Sequence, residues 1–139
     1  MIVWTISALP LVLGACIKML IGALWYSPLL FGKYWMKSLG FQIEDIQSEE
    51  GKRSAKIGYL LSSLTALTSS YIIGVLLASL EVTTSGEAFR VLLLLIVCFT
   101  MPVILGRHLW AKHPWGLFPI DLGYEWFTLT LIALIYVWF

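Results

Sequence analysis

Residues 22–32 read Gly22-Ala23-Leu24-Trp25-Tyr26-Ser27-Pro28-Leu29-Leu30-Phe31-Gly32. An unbroken apolar run enters this stretch from the N-terminal side. Trp25 and Tyr26 close the run, and aromatic rings with a polar edge prefer the membrane–water interface. Ser27 and Pro28 then read as a helix restart, with Ser as N-cap and Pro as first helical residue. The stretch therefore predicts the exit of a first membrane helix from lipid, with Trp25, Tyr26, Ser27 and Pro28 as its interfacial anchor.

Working outward, the composition agrees. The chain has 139 residues, of which 60% are apolar and only 12% charged, too few charges to cover a soluble domain of this length. Four apolar runs are each close to the roughly 20 residues that cross a bilayer. Lipid satisfies no backbone groups, so only helices or closed barrels span it, and runs this continuously apolar are helices. The expected fold is an all-α integral membrane four-helix bundle, a single transmembrane domain over 1–139. The spans are expected at about 3–25, 56–80, 88–106 and 117–139. A net charge of +1 gives no reason to expect a nucleic-acid partner.

Leu13-Gly14-Ala15-Cys16 has the form of a lipoprotein cleavage site. No Lys or Arg precedes it and the apolar run continues past Cys16, so a retained helix is expected instead. Cys16 and Cys98 both fall inside apolar runs, which argues against a disulfide framework. Within the first span Lys18 is flanked by Gly14 and Gly22 at four-residue spacing, so the three share one face. That face can approach another helix closely and carries the charge inward. Pro10 is expected to kink the outer half.

After the first span, residues 28–39 place Lys33 and Lys37 on one face and Phe31, Trp35 and Leu39 on another, ending at Gly40. This is the pattern of an amphipathic helix lying in the interface. Residues 41–54 carry Glu44, Asp45, Glu49, Glu50, Lys52 and Arg53 and read as a solvated loop with one helical turn at most. The second span has a small residue at every fourth position: Gly58, Ser62, Ala66, Ser70, Gly74 and Ala78. Such a ridge lets backbones pack closely in lipid. It predicts a tight contact, with another span of this chain or with a second copy.

Of the nine Lys and Arg residues, Lys18 lies within a span. Lys33, Lys37, Lys52, Arg53, Lys56, Arg107 and Lys112 follow the first and third spans, and Arg90 alone lies on the other side. The positive-inside rule puts the basic loops in the cytoplasm, both termini outside, and the amphipathic helix on the cytoplasmic face.

Three charges fall where lipid would be. At about 1.5 Å per residue, Lys18 lies roughly 10 Å inside the cytoplasmic end of its span. Asp121 and Glu125 lie roughly 6 and 12 Å inside that of the fourth. A lone charge near mid-membrane costs about 2.5–3.5 kcal/mol on insertion scales, so buried charges face the bundle and find partners. Lys18 is expected to pair with Glu125, Asp121 or both, with Tyr124 and Thr128 on the same side. One carboxylate is in surplus. It is then protonated, or met by Arg107 or His108, or by a bound proton, metal ion or cationic ligand. A metal site from Asp121, Glu125, His108 and His113 is not expected, because a His spacing of five is not a ligand signature.

The run Gly22 to Met36, containing Trp25-Tyr26-Ser27-Pro28, resembles the signature of a bacterial membrane family, domain of unknown function seventeen sixty-one. Leu117-Phe118-Pro119-Ile120-Asp121-Leu122-Gly123-Tyr124-Glu125 resembles that family's segment leading into its last helix. The resemblance implies a four-span protein of the bacterial plasma (inner) membrane and supplies no activity or cofactor. No phosphate loop, His-Glu-x-x-His, Cys-x-x-Cys or nucleophile elbow is present, so nothing asks for an enzyme. Two functions remain open. One is a carrier or ligand-binding membrane protein using the intramembrane charges, as a homo-oligomer. The other is a non-catalytic accessory subunit docking to a membrane-protein partner.

Overall fold

The computed structural model describes residues 1–42, 44 and 47–139, and the loop residue Asp45 lies outside them. The described residues are helical, without strands, and connected by short turns. The helices are α1 (Ala8–Trp25), α2 (Gly32–Leu39), α3 (Glu49–Ser79), α4 (Ser85–Leu95), α5 (Met101–Trp110) and α6 (Phe118–Trp138). A π-helical turn, Ile96–Thr100, joins α4 to α5, and a 3₁₀ turn, Trp115–Leu117, leads into α6. Four helical segments are long and apolar enough to cross a membrane: Ala8–Trp25, Glu49–Ser79, Ser85–Trp110 and Trp115–Trp138.

The boundaries differ from the sequence expectation for physical reasons. The first helix starts at Ala8, not near residue 3, which leaves Pro10 in its first turn, where a missing N–H costs nothing. Residues before it are extended and tied to α3: the Val3 N–H donates to Ser79 Oγ at 2.9 Å, and the Tyr71 hydroxyl to the Trp4 carbonyl at 3.0 Å. At the other end, Ser27 does not cap a helix at Pro28. Its hydroxyl donates to the Leu24 carbonyl at 2.7 Å and accepts the Leu29 N–H at 3.2 Å, closing a local turn. The helix restarts at Gly32, where a Cβ would overlap the backbone of Tyr26 and Ser27. It ends as expected at Gly40, whose φ of +74° is the left-handed conformation that glycine adopts freely.

Helix α3 is 31 residues long, about 46 Å at 1.5 Å per residue and longer than a hydrocarbon core of about 30 Å. Its charged first turns, capped by Ser48 accepting the Gly51 N–H at 3.0 Å, therefore extend beyond the apolar layer. The next helix begins with a capping box. Thr84 Oγ accepts the Glu87 N–H at 3.3 Å, and the Glu87 carboxylate accepts the Thr84 N–H at 3.2 Å. Pro102 follows the π turn, which widens the helix before the residue that cannot donate.

Helix α6 is the hub and touches α1, α3, α4 and α5. Packing is tight at the end where α3 finishes and α4 begins. There Ile73, Leu77, Ala88, Leu92, Ile132 and Ala133 form the buried core. Gly14 of α1 fits where a Cβ would lie 2.5 Å from Ser70 Oγ and 3.3 Å from Ile132. Ser70 Oγ also donates to the Leu11 carbonyl at 2.9 Å, pinning α1 to α3. Of the small-residue ridge, Ala66, Ser70 and Gly74 are buried in these contacts, whereas Gly58, Ser62 and Ala78 are exposed. The ridge winds around α3, and the first turns of α3 run beyond the helices that could cover them.

Gly14→Ala should destabilise the bundle by about 1–3 kcal/mol, the usual cost of overpacking a filled contact. Gly58→Ala, at a site with nothing within 4 Å, should be neutral or gain about 0.5–1 kcal/mol from helix propensity. Reversible unfolding in mixed detergent micelles measures both.

Candidate functional site

At the opposite end the helices splay. The space between α2, the projecting start of α3, the π turn with α5, and the start of α6 is a cavity of about 1200 Å³. Asp121, Tyr124 and Glu125 of α6 and Tyr26 are in its wall. The face of α2 bearing Trp35, Met36 and Leu39 lines the cavity, while Lys33 and Lys37 are exposed. The apolar face read as lying in the interface is thus turned onto the cavity.

The seam between α1 and α6 builds the site. Lys18 Nζ lies 2.7 Å from Glu125 Oε2; the Lys18 side chain is 8% exposed and that of Glu125 is 31% exposed. The same ammonium sits 5.3 Å from the centre of the Tyr124 ring. The Tyr124 hydroxyl donates to the Lys18 carbonyl at 3.3 Å, and a Cβ on Gly22 would lie 3.0 Å from that hydroxyl. The face carrying Gly14, Lys18 and Gly22 is therefore the face of α1 that meets α6. Thr128 donates to the Tyr124 carbonyl at 2.8 Å and stays within its own helix.

Asp121 takes a different partner from the one the charge pattern suggests. The Tyr26 hydroxyl donates to Asp121 Oδ1 at 2.9 Å. Burial first, and then the adjacent Asp121 carboxylate, push the Tyr26 phenol well above its ordinary range, so Tyr26 remains the donor in this contact. Asp121 also occupies the first turn of α6, where the helix dipole favours a negative group. Among the described residues Asp121 forms no ion pair.

Trp25 is likewise more than an interfacial anchor. Its indole N–H donates to the Ile120 carbonyl at 3.1 Å, and its ring stacks on Phe127 at 6.1 Å. Pro28 is exposed. The other candidate cations do not join Asp121. His108 is buried, with Nδ1 3.0 Å from the His113 carbonyl and its ring stacked on Trp115 at 5.4 Å. Arg107 and His113 line the cavity without an ion pair among the described residues. The same residues contain no group of three or more His, Cys, Asp or Glu placed to hold a metal ion.

An all-helical bundle with four membrane-length apolar helices and charges tucked between them is a multi-pass membrane protein. The family model described as "Protein of unknown function (DUF1761)" matches residues 9–137, and the chain belongs to that family. Neither a curated protein nor a solved structure matches it.

The unequal exposure of the Lys18–Glu125 pair gives an ordered expectation. Glu125→Gln strands a buried ammonium and should cost about 3 kcal/mol, near the lower end for a broken buried pair. Lys18→Met leaves a carboxylate that the cavity can hydrate, and should cost less. The exchange Lys18→Glu with Glu125→Lys should recover most of the loss caused by either charge reversal alone. Unfolding midpoints of the five variants in one detergent settle the order; equal costs for the two neutralising variants would contradict it.

Proposed function

We propose that the protein is a carrier or ligand-binding membrane protein whose site is the cavity at the α2 end of the bundle. One observation carries this reading. A cavity of about 1200 Å³ has two carboxylates, Asp121 and Glu125, in its wall, and only Glu125 is matched by a cation among the described residues. Intramembrane charges are costly and mark solute or proton pathways when they are not spent on structure. Lys18 and Glu125 form the clasp, and Asp121 is the group left to meet a solute. By charge asymmetry the cavity end, which carries the basic loops, faces the cytoplasm, and the termini lie outside. Four spans bury little surface on their own, and self-association belongs to the same reading.

The accessory-subunit reading has its own support. Gly58, Ser62 and Ala78 present small residues outward on α3, a surface on which another membrane helix could pack closely.

Native mass spectrometry of protein released gently from its own membrane separates the two. The carrier reading expects a homo-oligomer or monomer with a small-molecule adduct that disappears in Asp121→Asn. A fixed-stoichiometry hetero-complex without an adduct would overturn it and assign the charges to structure alone.

A further inference from the structure

Within the proposed carrier or binding role, we infer that the solute is an organic monocation with an apolar body, held by Asp121 and stacked along an aromatic wall. The inference rests on that role and specifies its substrate class. Charge comes first. Lys18 neutralises Glu125 at 2.7 Å, which leaves Asp121, with the neutral Tyr26 phenol as its partner. One free carboxylate balances one positive charge.

The shape of the wall comes second. Along the wall, Phe41 stacks on Trp35 with centroids 5.5 Å apart and planes 12° apart. Trp35 meets Tyr26 edge-on at 5.9 Å, and Tyr26 meets Tyr124 edge-on at 5.4 Å. All four rings line the cavity, and the Tyr26 hydroxyl ends the row on Asp121. A row of ring faces and edges leading to a carboxylate is the chemistry that recognises organic cations, by cation–π attraction along the wall and an ion pair at its end.

A bare inorganic ion fits these walls poorly. Calcium or magnesium needs six or more oxygen ligands at about 2.0–2.6 Å, and the described residues hold no group of three or more His, Cys, Asp or Glu placed for a metal ion. The cavity volume of about 1200 Å³ also exceeds the roughly 300–1,000 Å³ of ligand pockets, room for a whole molecule and far more than a bare ion needs. Arg107 at the α5 side does not reverse the sign, because Glu50, on the projecting start of α3, lies in the same wall.

Tetraphenylphosphonium, an aromatic monocation without hydrogen-bond donors, is the probe. The full chain in nanodiscs of zwitterionic lipid is titrated by equilibrium dialysis, against empty nanodiscs. The expected result is saturable binding of one probe per protomer. Asp121→Asn, which keeps the size of the side chain and an acceptor for Tyr26, should weaken it about tenfold or more, as for loss of a buried charge partner. Trp35→Ala, on the short helix outside the spans, should weaken it severalfold, as for loss of a cation–π contact. Binding that ignores both variants is partition into lipid or detergent and overturns the inference. So does retention of a co-purified lipid that the probe does not displace. If sodium or magnesium binds in an Asp121-dependent way and the probe does not, the substrate class is wrong and the carrier reading stands. If no cation binds, both fall.

Discussion

The ion pair between Lys18 and Glu125 sets the constraint on which the rest depends. A charge taken into a membrane bundle must be met there, and leaving one partner unpaired is far more costly than the pair itself is stabilising. With Nζ and Oε2 2.7 Å apart, the pair favours one register of α1 against α6. That register has consequences one and two turns away. It brings Gly22 under Tyr124, aims the Trp25 indole at the Ile120 carbonyl and lays the Tyr26 hydroxyl on Asp121. Tyr26 and Asp121 share no sequence proximity and no charge attraction; they meet because the clasp fixes the seam that carries them both.

The bundle is built unevenly about this seam. Its far end is held by side chains that leave no room, with Gly14 against Ser70 and a core running from Ile73 through Leu92 to Ile132. Its near end is held by aromatic contacts and a short helix, and it encloses a cavity. In lipid there is no hydrophobic force between helices, so contact depends on fit. Small residues supply fit at the far end. At the near end the long side chains of Tyr26, Trp35 and Tyr124 keep the helices apart, and the π turn before Pro102 places Phe99 and Thr100 in the cavity wall.

The four spans were legible in the sequence because apolar runs of membrane length admit one solution. That Lys18 and Glu125 fall at one level of the bundle was legible as well, because rise per residue places charges along an axis. Position around the axis was not. Tyr26 reads as an interfacial ring in any exit sequence, and nothing in one chain tells which carboxylate a phenol across the seam will meet. The ridge on α3 reads as six equivalent positions, yet a ridge has a partner only where it faces a helix, and Gly58 and Ser62 are exposed. The start of the third span carries a local signal of its own: Thr84 followed three residues later by Glu87 is a capping box. The face of α2 was legible as amphipathic, but the same pattern serves a lipid surface or the roof of a cavity.

The surplus carboxylate has a resolution that a count of charges does not contain. Counting alone offers a proton, a second cation or a ligand. The fold adds a neutral partner, the Tyr26 phenol, and a position in the first turn of α6, where the positive end of the helix dipole lies. Neither is a cation, so among the described residues Asp121 stays without an ion pair. Lys18, by contrast, is spent on Glu125, 2.7 Å away. The two acids, one turn apart on one helix, thus meet different partners: Glu125 faces the ammonium of Lys18, and Asp121 faces the phenol of Tyr26 that the same seam brings to it.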